Sequence, residues 1–103
     1  METDFRVVVT REGLTDIVRF SGIIDSRAEN ALRELADGVN GPNVRCDFSD
    51  SGRINSMGIA FLLRFMKQIR DDKSARITIR GLSQVNTILF KMTGIFLLAT
   101  VEQ

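Results

Sequence analysis

The stretch Asn55-Ser56-Met57-Gly58 precedes a run of apolar residues at helical spacing, which places an amide and a hydroxyl side chain where a helix begins. Asn and Ser are both favoured helix N-caps, and Ile59, Leu62, Leu63, Met66 and Ile69 follow at the spacing of one buried helical face. At such an end the aligned peptide dipoles and unpaired N–H groups favour negative charge. An oxygen at Ser56, or a phosphate carried on it, is therefore electrostatically accommodated. The chain has no histidine, which removes the usual general base near neutral pH and the commonest transition-metal ligand. Ser-His, Cys-His and His-rich metal chemistry are excluded. No Ser-x-x-Lys pair or glycine-rich phosphate loop stands in for them, so the residues point away from an enzyme and toward no cofactor and no metal.

The elements that must position this stretch follow from the periodicities on either side. Phe5 to Thr10 and Asp16 to Ser21 read as two strands around a polar turn, an antiparallel hairpin. Asp25-Ser26 can cap a helix with Ala28, Ala31, Leu32, Leu35, Ala36 and Val39 on one face, ending near Gly38 before the breaker cluster Asn40-Gly41-Pro42-Asn43. Val44, Cys46 and Phe48 alternate with Arg45 and Asp47 as a strand with one face inward. Cys46 therefore belongs with the core, without the cationic, exposed surroundings that make a thiol reactive.

After the central helix, Asp71-Asp72-Lys73-Ser74 reads as a polar turn and Ala75 to Arg80 as another strand. Ser83 caps a short helix with Val85, Ile88, Leu89 and Met92 inward, closed by Thr93-Gly94, and Ile95 to Val101 is strand-like. The order β-β-α-β-α-β-α-β predicts an α/β fold: a mostly parallel mixed sheet of about five strands with helices packed on it. A helical projection turns Met57, Phe61 and Phe65 away from the buried face of the central helix. That predicts an exposed apolar stripe beside Ser56, of the kind a partner covers.

At 103 residues the chain is expected to form one domain, 1–103. Fourteen basic residues against 13 acidic ones leave a net charge of +1, which gives no argument for nucleic acid or an anionic membrane. One cysteine, no leader-like segment and no apolar run of roughly 18 residues fit a soluble, cytoplasmic protein without membrane insertion.

Asp47-Phe48-Ser49, followed by Asn55-Ser56-Met57-Gly58, resembles the signature of the STAS domains of the anti-sigma-factor antagonist (anti-anti-sigma factor) family. There a strand ending in Asp-Leu-Ser is followed by Asp-Ser-Ser-Gly or Asp-Ser-Thr-Gly opening a helix. Phe20-Ser-Gly-Ile-Ile-Asp25 looks like the family's Leu-x-Gly-Glu-Leu-Asp, and Met92-Thr-Gly-Ile-Phe96 is similar to its Leu-x-Gly-Leu segment. The resemblance implies a STAS-like domain acting as a partner switch in bacterial signal transduction. A serine kinase of the histidine-kinase-like ATPase fold, itself an anti-sigma factor in the best-known members, phosphorylates the serine. A PP2C-type phosphatase reverses this, and only the unmodified form binds its target. Ser56 is then the phosphorylation site, and with the apolar stripe of the helical projection the expected partner-binding set is Asp25, Asn55, Met57, Gly58, Phe61 and Phe65. Asp25 is also readable as an ordinary cap, and Ser56 as one too.

Two positions depart from the family pattern: Asn55 stands where the family has an acid, and Met57 replaces the second hydroxyl. As given, the sequence is expected to lack the family's final C-terminal helix. The alternative to a switch is a constitutive STAS-like subunit of a larger assembly, such as a lipid transporter, with no phosphorylation cycle. A nucleotide-sensing central loop is a third reading.

Overall fold

Gly13, at φ 59, closes a two-residue turn between β1 (Arg6–Glu12) and β2 (Thr15–Ile24), so the first two strands pair antiparallel from Arg6↔Ser21 to Glu12↔Thr15. A positive φ suits the hairpin turns that match strand twist. The computed structural model describes residues 3–102. Beyond the hairpin the chain runs through a 3-10 turn (Ser26–Ala28), α1 (Glu29–Gly38), β3 (Asn43–Ile54), α2 (Ser56–Lys73), β4 (Arg76–Arg80), α3 (Gln84–Thr93), a second 3-10 turn (Ile95–Leu97) and β5 (Thr100–Val101).

The five strands lie in the sheet in chain order, β1-β2-β3-β4-β5, with every pair after the first parallel. This is the α/β, mostly parallel mixed sheet that the alternation of elements predicts. Successive right-handed crossovers without a reversal of strand order put every crossover helix on the same side. Accordingly Val18, Phe20, Val44, Cys46, Phe48, Ile77 and Ile79 share one continuous core with Leu32, Leu62, Met66, Ile69 and Phe90 from the helices. The opposite face alternates with these residues and carries Arg19, Arg45, Asp47, Thr78 and Arg80. Through the core runs a row of rings, with Phe20 stacked on Phe48 at 4.7 Å and Phe48 edge-on to Phe90 at 5.3 Å.

Buried Asp16 fixes the far end of β2. Its Oδ2 accepts the backbone N–H groups of Asn40 (2.8 Å) and Gly41 (2.7 Å), and its Oδ1 pairs with Arg11 at 3.0 Å. Burial works to raise the Asp16 carboxyl, but these donors outweigh it and hold it below the ordinary carboxylate value.

Three expectations are corrected. The polar run Asp71-Asp72-Lys73 is helical, and only Ser74 turns, in the left-handed region at φ 52. The extra turn brings Lys73 Nζ to the carbonyls of Asp37 (2.8 Å) and Val39 (2.6 Å), where it satisfies the end of α1. On α3 the inward residues are Asn86 and Phe90, while Val85, Ile88 and Met92 are exposed. The last apolar segment is a 3-10 turn followed by a two-residue strand rather than one strand from Ile95. Among the described residues no helix is long and apolar enough to cross a membrane.

Candidate functional site

The start of α2 is built against the end of β2. The Asn55 N–H donates to the Ile24 carbonyl at 3.1 Å, and the Asn55 side-chain Oδ1 accepts the Gly58 N–H at 2.8 Å. With φ −92 and ψ −178, Asn55 is extended while its carbonyl already accepts the Ile59 N–H at 2.9 Å, which makes it the N-cap. Ser56 is therefore the first helical residue. The reading of Ser56 as the cap is corrected, because Asn55 fills that role. Ser56 is exposed, and its hydroxyl makes no hydrogen bond to another described residue.

Gly58 is buried, and a Cβ there would overlap the Ile24 carbonyl oxygen and lie 2.7 Å from its carbon. Only a glycine lets the first turn of α2 come this close to β2. Asp25 directly follows Ile24, so the same approach brings it to the α2 end of the molecule. Its carboxylate caps the 3-10 turn by accepting the Arg27 N–H at 2.9 Å and pairs with the Arg27 guanidinium at 3.0 Å. The Arg27 side-chain bond, then its backbone N–H, hold the Asp25 carboxyl below the usual range.

Met57 is 48% exposed, as the sequence suggests. The exposed stripe it was expected to share with Phe61 and Phe65 is corrected: these rings are 7% and 2% exposed. On a helical wheel Phe61, Phe65, Ile69, Leu62, Met66 and Ile59 form one buried arc of roughly 160° at about 100° per residue. The arc exceeds a single face because α2 packs on two neighbours, the sheet and α1. Arg64 then covers the outer side of Phe61, with its guanidinium 5.4 Å from the ring centre, and reaches Glu29 of α1 at 3.5 Å.

The segment leading into Asn55 is held from below. Asp47 Oδ1 accepts the Ser49 N–H (2.9 Å) and hydroxyl (2.6 Å), while Oδ2 accepts two Arg80 donors at 3.1 and 3.0 Å. Burial pushes the Asp47 carboxyl up, yet Ser49 and Arg80 together hold it below the ordinary value. Asn86 donates from its side chain to the Gly52 carbonyl at 3.2 Å and so fastens α3 to the same segment. Sequence reasoning passed over Asn86 and Arg80. An amide inside an apolar helical run was the available signal for Asn86.

The arrangement offers a hydroxyl that no other described residue engages, at a helix N-terminus packed against the end of β2, with an exposed methionine beside it. Cys46 is fully buried in the core and its thiol is pushed up to about 12 by burial, so it takes no part. Among the described residues no three His, Cys, Asp or Glu side chains group to hold a metal.

No family model matches the sequence, and no curated protein does. Solved structures do match in three dimensions. An anti-sigma factor antagonist from Mycobacterium paratuberculosis superposes with a TM-score of 0.72 at 19% identity, covering 95% of this chain and 85% of that one. The anti-sigma factor antagonist SpoIIAA in its unphosphorylated form also gives 0.72 at 19% identity, over 97% and 89% of the two chains. The Bacillus cell fate determinant SpoIIAA in the phosphorylated form gives 0.66 at 13% identity, over 97% and 92%. At this identity the likeness concerns the fold: the chain has the STAS fold of these antagonists.

Proposed function

We propose that this chain is a phosphorylation-controlled regulatory protein of the anti-sigma-factor antagonist type, which binds a partner when Ser56 is bare and releases it when Ser56 is phosphorylated. One observation carries the reading. Asn55 does the capping, so the exposed Ser56 hydroxyl is left without a hydrogen bond to another described residue at the start of α2. The shared fold with SpoIIAA, solved in phosphorylated and unphosphorylated forms, supports it. The partner class is a cytoplasmic serine kinase or anti-sigma factor of the histidine-kinase-like ATPase fold, with a PP2C-type phosphatase restoring the bare serine. The chain itself is a ligand in this cycle and not a catalyst.

Charge and burial supply the mechanism. A phosphoryl group adds a charge of about −1.5 to −2, which the N-terminus of α2 tolerates in water. In the complex the same charge sits beside Met57, where an apolar contact without a facing Arg or Lys cannot solvate it. A penalty of roughly 3 kcal/mol is enough for a hundredfold loss of affinity. With Phe61 and Phe65 buried, the contacting surface reduces to Asp25, Asn55, Ser56 and Met57 around the mouth of the helix.

The experiment is the intact mass and site mapping of the protein from its native cells, before and after phosphatase treatment, followed by capture with Ser56→Ala and Ser56→Asp. A phosphatase-sensitive group on Ser56, with the partner held by the Ala form and lost from the Asp form, is the expected result. Equal capture by both forms, with no modification across growth and stress conditions, would instead select a constitutive subunit.

A further inference from the structure

β1 forms the long edge of the sheet, and the charges at its two ends, Arg6 and Glu12, are of opposite sign. It runs seven residues, pairs with β2 on one side only, and keeps an unbroken register along its length. An edge presents a row of unpaired N–H and C=O groups, which proteins usually blunt with a bulge, a proline or a lysine. β1 has no bulge, proline or lysine; its charged residues, Arg6, Arg11 and Glu12, stand toward its ends, and its middle is Val7-Val8-Val9. The other edge, β5, is two residues long. Val8 and Val9 point to opposite faces, yet they are 57% and 42% exposed. Val9 opposes Val18 on the helix-covered face. Its exposure shows that the helices stop short of this edge and leave the lane beside it open.

We infer that β1 is a self-association edge, to which a second copy of the chain adds its own β1 antiparallel, extending the sheet across a two-fold axis. The charge pattern selects this occupant. With the axis at Val9, each Val9 meets the partner's Val9, Val8 meets the partner's Thr10, and Arg6 meets the partner's Glu12 at both ends of the ladder. Arg6 and Glu12 are both exposed, and neither is held by an ion pair to another described residue. Their positions have the same parity, so each Arg-Glu pair stands on one face, where opposite charges attract across strands. A one-residue slip toward the N-terminus sets Arg6 against the partner's Arg11 and turns every side chain to the other face. The Val9-centred register is thus the one the charges specify. A seven-residue ladder is smaller than a standard interface, so the dimer forms and dissociates with concentration. This inference does not depend on Ser56.

Sedimentation velocity on the full chain, from about 10 μM to about 1 mM, tests it. The wild type is expected to pass from monomer to dimer. Arg6→Glu and Glu12→Arg should each weaken self-association about tenfold, and the double variant, which exchanges the pair, should restore it. Both positions are exposed, and matched thermal midpoints establish that the variants fold. A wild type that stays monomeric throughout overturns the inference and leaves the edge to a strand of another protein. So does a dimer equally strong in all four proteins, or one that survives both single variants and is lost with Ile88→Lys on α3.

Discussion

Gly58 lies directly against the carbonyl of Ile24, so close that the first turn of α2 has no room for a methyl group. Gly58→Ala must therefore push the helix start away from β2 or strain the Ile24 peptide. Overpacking of this kind costs about 1–3 kcal/mol, and urea denaturation should show a loss in that range. An unchanged midpoint would mean that the approach is looser than described.

The division of labour between Asn55 and Ser56 makes a contrast that a single substitution cannot. Asn55→Ala removes the acceptor for the Gly58 N–H and should cost about 1 kcal/mol. Asn55→Asp keeps the acceptor and adds a charge the helix end favours, for a gain of about 0.3–1 kcal/mol at low salt. Ser56→Ala should stay within about 0.5 kcal/mol of wild type. If Ser56→Ala costs as much as Asn55→Ala, Ser56 shares the cap.

Acid should unfold the protein through two named carboxylates. Asp16 and Asp47 both have folded-state values below their unfolded ones, so they bind fewer protons when folded. Their stabilisation is complete above the ordinary carboxylate value, about 3.9, and drains away as the pH falls below it toward the lower folded values. Thermal midpoints measured between neutral pH and pH 2 should fall steeply in wild type and less steeply in Asp16→Asn. Parallel curves would deny Asp16 this role.

Cys46, the single cysteine, gives a spectroscopic reading of the core. Its thiol, raised to about 12, should not react with an aromatic disulfide reagent in the folded protein, and one equivalent should react after denaturation. Rapid reaction under native conditions would show that the core opens around β3.

The inward residues of β3 and β4 and of α1 were legible because the apolar residues of these elements follow a single period. Those of α3 were not. On a helical wheel Val85, Ile88, Leu89 and Met92 fall within about 100°, with Phe90 about 100° beyond Leu89, so periodicity favours the stripe that the fold leaves largely exposed. The choice is made by partners far along the chain: the Gly52 carbonyl, which takes the Asn86 amide, and the Phe48 ring, which takes the edge of Phe90. Phe61 and Phe65 were misplaced for a related reason, since the second neighbour of α2 is α1, more than twenty residues upstream. Ser56, Asn55 and Gly58 were readable at the helix start. That Asn55 rather than Ser56 caps it rests on one hydrogen bond, which the residue types alone leave open.

The chain-ordered sheet also shapes how the molecule is made. Every strand pairs with the strand before it in sequence, so each new neighbour is at hand when it emerges, and no early strand waits for a late one. Loop-closure cost is kept low at each step, and growth can run from the hairpin outward during synthesis. Of the five strands the two-residue β5 emerges last. Until it does, β4 is the growing edge, with Arg76 and Arg80 at its two ends to keep strands of other nascent chains away.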